Sequence, residues 1–248
     1  MGIFTIRAKR YNPGRDCIVH NLKVFVALDC SNEFDAHKIT NKLDPEYCGI
    51  KVGKELFTAV GPKIIDYIHN EGFKVFLDLK YHDIPNTVKK ACKNAANLGV
   101  YMLNVHAMGG SEMMLSAKEG VDQSQNKPVL IGVTILTSHN QKSLKNIGYD
   151  KPINHYIKNL ALNVADCGLD GVVCSANDLN ILRPILPENF HLVTPGIRLN
   201  NTKKHDQQRV SSPEDAKTLG STMLVIGRSI TEDPHPLEVL KKIQQQLK

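Results

Sequence analysis

The chain has no long apolar run, no paired-cysteine motif and no concentrated charge, and each absence removes a class of protein. Its longest apolar stretch, around Val129–Leu136, falls well short of the roughly 18 residues a membrane-spanning helix needs. Met1 to Leu22 is mixed and polar, without the apolar core and small-residue cleavage site of a secretory signal, so neither a signal nor a membrane partner is expected. The cysteines, at positions 17, 30, 48, 92, 167 and 174, form no CxxC pair and share no ligand spacing with histidine. Free thiols packed as small apolar groups in a reducing cytoplasm are the expectation. The net charge of +6 is modest, and the basic residues fall in short clusters such as Lys89-Lys90 and Lys203-Lys204. No aromatic-studded basic stripe marks a nucleic-acid partner. Low-complexity sequence is also missing.

What is present is an alternation of strand and helix. At 248 residues, 42% hydrophobic and 23% charged, the chain has the size and composition of one globular α/β barrel domain. Strands are predicted at 23–28, 49–52, 73–79, 100–105, 129–135, 171–174, 190–193 and 222–226. Helices are predicted between them, including a long one from about Lys54 to Asn70 that Gly72 ends, and Ser175 with Asp178 has capping-box spacing. A final helix is predicted over about 237–247. Eight strands each followed by a helix is the pattern of a (β/α)₈ TIM barrel. The competing open, doubly wound sheet would carry a glycine-rich first turn, and Asp29-Cys30-Ser31-Asn32-Glu33 has no glycine. The expected division is therefore one barrel domain over 23–248, preceded by an extension, 1–22, to which the sequence assigns no role.

A barrel places its chemistry at the carboxyl ends of its strands, and the charged residues collect there. Asp29 follows strand one, Lys51 ends strand two, and Asp78 and Lys80 share one face at the end of strand three, with Asp83 just beyond. An unpaired charge inside a barrel is costly, so two lysines and two aspartates at one rim exceed what a plug for the core requires. Taken singly, each has a plainer reading: His106 as a structural histidine, Asp29 as a helix cap, Lys51 as a snorkelling side chain. Gly227-Arg228-Ser229, before helical sequence at the end of strand eight, offers backbone N–H groups and a guanidinium fork suited to a phosphate. The polar stretch 199–210 after Arg198 reads as a lid or as solvated slack, and its place beside a phosphate site favours the lid.

These residues carry a resemblance. Asp78-x-Lys80-x-x-Asp83, within Phe-Leu-Asp-Leu-Lys-Tyr-His-Asp-Ile-Pro-Asn-Thr, resembles the signature of the orotidine 5′-phosphate decarboxylase family. So do Val26–Asp29, Lys51–Lys54, Asn104–Ala107, Leu136–Ser138, Val193–Arg198 and Val225–Arg228, in order from about Lys23 to the carboxyl end. The resemblance implies a carboxy-lyase that converts orotidine 5′-monophosphate to UMP without metal or organic cofactor, in the last step of pyrimidine nucleotide synthesis. It implies a charged tetrad of Lys51, Asp78, Lys80 and Asp83, with Lys80 donating a proton to C6 and Asp78 beside the substrate carboxylate. Asp29, Lys51 and Thr87 would hold the ribose hydroxyls, and Thr137 and Ser138 would lie near the pyrimidine. Gln207, Gly227 and Arg228 would bind the phosphate, and Pro195 and Arg198 also fall in substrate-binding blocks. Asp83 and Thr87 would reach a neighbouring subunit's site, which implies a homodimer.

Two other readings stay open on the sequence. One is a related enzyme acting on a keto-sugar phosphate, in which Asp78 helps bind Mg²⁺. The Thr137-Ser138 and Pro195–Arg198 blocks argue against it. The other is a catalytically silent barrel that binds nucleotides, against which an intact tetrad argues.

Overall fold

The computed structural model of the protein describes residues 23–198 and 212–247. In chain order its elements are β1 (Val24–Leu28), α1 (Glu33–Thr40), β2 (Gly49–Gly53), α2 (Lys54–Val60), α3 (Lys63–Asn70), β3 (Val75–Tyr81), α4 (Pro85–Asn97), β4 (Met102–His106) and α5 (Gly110–Asp122). Then follow β5 (Val129–Val133), α6 (Gln141–Asn146), α7 (Ile153–Asp166), β6 (Gly171–Val173), α8 (Leu179–Leu182), β7 (His191–Pro195), α9 (Pro213–Thr218), β8 (Met223–Ile226), α10 (Arg228–Thr231) and α11 (Pro236–Gln246). All strand pairings are parallel and sequential, and β8 closes on β1. The (β/α)₈ barrel expected from the sequence is the fold observed. The extension 1–22 and the expected lid at 199–210 lie outside the described residues.

Side-chain alternation along the strands divides the core in two. Val24, Val26 and Leu28, Ile50 and Val52, Val75 and Leu77, and Leu103 and Val105 point outward into the larger cluster, beneath the helices. Phe25, Ala27, Phe76, Met102, Ile131, Val193, Met223 and Val225 point inward and fill the barrel. The Phe25 ring meets Phe76 edge-on at 5.7 Å between centroids, a favoured aromatic geometry. Gly49 makes room for this floor: a Cβ there would come within 2.6 Å of the Phe25 ring.

The element boundaries differ from expectation where the backbone has its own constraints. The single helix expected over 54–70 is two, α2 and α3, because Gly61 turns with φ +75° and Pro62 has no N–H to continue the ladder. Helix α6 was not expected. Its start is fixed by Asn140 and Ser143, whose side chains cap each other's backbone N–H groups. The capping pair Ser175–Asp178 forms as expected, but opens a 3₁₀ turn rather than a full α-helix.

One strand seam is irregular. Between β4 and β5, five consecutive residue pairs run from Met102–Val129 to His106–Val133. Between β3 and β4, Leu77 pairs with Leu103 but the next pair is Tyr81 with Val105. Four steps along β3 are thus matched by two along β4, and the excess chain bulges at Asp78-Leu79-Lys80. Within the bulge Lys80 has φ +51° and is the one non-glycine residue with positive φ among the described residues.

Candidate active site

The inward alternation that builds the floor also builds the site. Two residues above Phe76 stands Asp78, two above Gly49 stands Lys51, and two above Ala27 stands Asp29. These side chains meet at the carboxyl end of the barrel. Lys51 Nζ lies 3.0 Å from Asp29 Oδ1 and 3.6 Å from Asp78 Oδ2. Lys80 Nζ donates to Asp78 Oδ1 at 2.6 Å. The result is a continuous line of alternating charge, Asp29–Lys51–Asp78–Lys80, across three strands.

Asp78 and Lys51 are buried, and burial by itself would raise the Asp78 pKa. The nearby Lys51 and Lys80 ammonium groups, with hydrogen bonds from Lys80 and Asn104, outweigh it and hold the carboxyl below the usual range. Asp78 is therefore an anion at neutral pH. His106, at the end of β4, is pushed the other way. Burial, reinforced by His82, Lys54, Lys80 and His139, lowers its pKa to about 4, so it is neutral. It stacks on His82 at 5.3 Å, and its Nδ1 accepts from the Met108 N–H at 3.4 Å.

These charges line one side of a cavity of about 550 Å³ at the barrel mouth. Of the site residues expected from the sequence, Asp29, Lys51, Asp78, Lys80, Thr137, Pro195, Arg198, Gly227 and Arg228 all line it. Its remaining wall is largely apolar, with Ala27 and Phe76 from the barrel floor and Val133, Ile135, Leu136, Val173, Cys174, Ile197 and Val225 above, while Gly196, Ser229 and Glu232 complete the lining. The cavity thus combines the start of α10 at Gly227–Ser229 with the paired charges and a largely apolar wall.

Three expected residues are not in this cavity's lining. Ser138 is exposed on the loop after β5. Asp83 and Thr87 are exposed at the start of α4, where Asp83 Oδ1 accepts from the Ile84 N–H at 2.6 Å, and Ile84 beside them is 67% exposed. One chain thus assembles three members of the expected tetrad. Gln207 lies outside the described residues.

Sequence reasoning passed over Asn104 as a site residue. It is fully buried, donates from Nδ2 to Asp78 Oδ1 at 2.6 Å, and accepts the Lys80 backbone N–H at 2.8 Å. A signal was available, since an amide amid the apolar strand Met102–His106 needs buried partners. Among the described residues, no group of three or more His, Cys, Asp or Glu side chains is placed to hold a metal, and no helix is long and apolar enough to cross a membrane.

Comparison with known proteins finds relatives over most of the chain. Residues 22–243 match the family described as orotidine 5′-phosphate decarboxylase / HUMPS. The chain is 49% identical over 226 residues to orotidine 5′-phosphate decarboxylase of Aliivibrio fischeri strain MJ11, covering 91% of this chain and 97% of that protein. It is 47% identical over 226 residues to that of Legionella pneumophila strain Corby, covering 91% and 99%. The crystal structure of orotidine 5′-phosphate decarboxylase from Lactobacillus acidophilus superimposes with a TM-score of 0.83 at 37% identity, over 92% of this chain and all of that one.

Proposed function

The chain belongs to the orotidine 5′-phosphate decarboxylase / HUMPS family, and on that premise we propose that it decarboxylates orotidine 5′-monophosphate to UMP without a cofactor, completing pyrimidine nucleotide synthesis. The observation that carries this reading is the paired row of buried Lys51, buried Asp78 and half-buried Lys80 in a cavity with a largely apolar wall, with Arg228 lining the same cavity. Loss of CO₂ from C6 leaves an electron pair with no conjugated sink, so the site must stabilise negative charge through space. The Lys80 ammonium, set by Asp78, is assigned both tasks: it faces the developing carbanion and then transfers its proton to C6.

Asp78 is given the position beside the departing carboxylate. Two anions in proximity disfavour the bound substrate, and the repulsion falls as neutral CO₂ forms, while the attraction to Lys80 grows. Lys51 keeps Asp78 ionised and, with Asp29, is assigned to the ribose hydroxyls. Thr137 and Ser138 are assigned to the pyrimidine ring, and Gly227 and Arg228, with Gln207, to the phosphate. Pro195 and Arg198 complete the substrate-binding set. Binding energy from the phosphate, remote from C6, aligns the ring against the charges.

Asp83 and Thr87 support a homodimer in this reading. Both are exposed near Ile84 at the start of α4, as residues serving a neighbouring subunit's site would be. If Asp83 acts across the interface, mixing inactive Lys80→Ala and Asp83→Ala proteins restores about a quarter of the sites after statistical exchange. No recovery after verified exchange would refute the shared site. The free thiols of Cys30, Cys48, Cys92, Cys167 and Cys174 suit the reducing cytoplasm assigned to the enzyme, which fractionation of the source cell checks.

The direct test is the loss of orotate absorbance when orotidine 5′-monophosphate meets the purified protein, with and without EDTA. Equal, rapid loss in both is expected. Folded, dimeric protein that leaves the chromophore unchanged would overturn the assignment, and inhibition by EDTA would favour metal-dependent keto-sugar phosphate chemistry instead.

A further inference from the structure

The bulge in β3 creates a problem that Asn104 solves. Because β3 and β4 fall out of register between Leu77 and Tyr81, the Lys80 N–H has no place in the regular backbone ladder. It donates instead to Asn104 Oδ1 at 2.8 Å. The Lys80 backbone sits at φ +51°, a region that a long side chain rarely occupies without surrounding support. The other end of the same amide donates to Asp78 Oδ1 at 2.6 Å, the oxygen that also accepts Lys80 Nζ at 2.6 Å. A closed ring results: Lys80 backbone to Asn104, Asn104 to Asp78, Asp78 to the Lys80 ammonium. Asn104 itself does not line the cavity, so whatever it does for the reaction it does through these two neighbours.

We propose that Asn104 is a positioning residue: one buried amide fixes the rotation of the Asp78 carboxylate and holds the Lys80 backbone in the left-handed turn that returns its ammonium to that carboxylate. The inference rests on the assignment of Asp78 and Lys80 as the reacting pair. It differs from a plain satisfied core amide in what it demands. A core amide needs only two partners of any kind, whereas a positioning amide needs its donor aimed at Asp78 and its acceptor at Lys80, and its loss must fall on turnover rather than on ligand binding.

Two substitutions and one control test this. Asn104→Leu keeps the branched shape, at a larger volume, and removes both hydrogen bonds. Asn104→Asp keeps the acceptor for the Lys80 N–H and replaces the donor with a second carboxylate, which faces Asp78 with Lys80 and Lys51 beyond it. For Asn104→Leu, kcat on orotidine 5′-monophosphate should fall about 10–100-fold, the usual cost of losing a residue that orients a reacting group. The Kd for UMP, measured by titration, should stay within about threefold. For Asn104→Asp the deficit should shrink from pH 8 to pH 6, because one proton shared between the two carboxylates restores a donor to Asp78.

Turnover within about twofold of the parent enzyme in Asn104→Leu, or UMP affinity falling in step with kcat, would overturn the proposal. So would failure of both variants to fold, which would make Asn104 a structural residue only. A pH-independent deficit in Asn104→Asp would overturn the donor role. Lys80→Ala distinguishes the role of the reacting pair from that of Asn104. If that variant retains turnover, the assignment of the reacting pair fails and takes this inference with it. If it is inactive while Asn104→Leu is fully active, the inference alone fails.

Discussion

The two ends of the barrel are built from the same strands and the same inward-facing positions, yet hold opposite kinds of side chain. At the amino-terminal end Phe25, Phe76, Met102 and Met223 interlock as an apolar floor. One inward step higher, Phe76 gives way to Asp78 and Met102 to Asn104, with Lys51 on the neighbouring strand. The floor is held by packing that tolerates no gap, whereas the top is held by paired charges and directed hydrogen bonds. The step between them is one side-chain repeat, so the charged row rests directly on the packed floor. Packing and charge are thus segregated along β2, β3 and β4, whose inward positions turn charged or polar within one side-chain repeat, while β5, β6 and β8 stay apolar at the cavity.

That segregation is sharpest if substitutions at the two ends fail in different ways. Lys80→Ala should have the largest effect: a loss of at least about 10²–10⁴ in kcat, the range of a general acid, with the circular dichroism spectrum of the parent protein. Retained turnover would break the comparison at its top. Phe76→Ala, two residues from Asp78, should destabilise the fold by about 3–5 kcal/mol in urea titration while the folded fraction still turns over. A stable but inactive Phe76→Ala would show that the floor belongs to the chemistry.

Arg228→Ala, at the rim, should mainly raise KM, by roughly the 1.5–3 kcal/mol of a charge-assisted hydrogen bond. An equal fall in kcat at unchanged KM would contradict the phosphate assignment. The smallest effect belongs to His106. Its neutral form is favoured in the folded state, where burial and nearby positive charge lower the pKa to about 4, against about 6.5 in the unfolded chain. The unfolded state therefore binds a proton first as pH falls, and this contribution to stability, intact above pH 6.5, is lost between pH 6.5 and 4. Urea midpoints at pH 7 and 5 should drop less for His106→Asn than for the parent protein, and equal drops would remove His106 from this role.

Much of this architecture was legible in the chain because it follows from periodicity. Strand alternation places Asp78 with Phe76 and Lys51 with Gly49 on inward faces, and glycine stops at Gly72 and Gly220 divide helices from strands. Less legible was anything depending on which strand neighbours which residue. Asn104 looked like one letter in a matching block, since its partners lie on another strand. The break between α2 and α3 was readable in Gly61-Pro62 but was submerged in a longer helical pattern. The positions of Asp83 and Thr87 outside this cavity's lining were legible only through the family resemblance, because local pattern does not say which side chains a cavity will include.

The sequence by itself determined the order of strands and helices, the inward and outward faces, and the gathering of charge at the carboxyl ends, since each is a consequence of local period and of fold-wide chirality. Only the tertiary structure decided how those charges pair. Asp78 is held by lysines from its own strand and the next, and Lys80 adopts a left-handed backbone that its own sequence does not favour, because closing β3 against β4 leaves an N–H that the Asn104 amide can take. A conformation costly in an isolated strand persists there because the surrounding barrel supplies the partner it lacks.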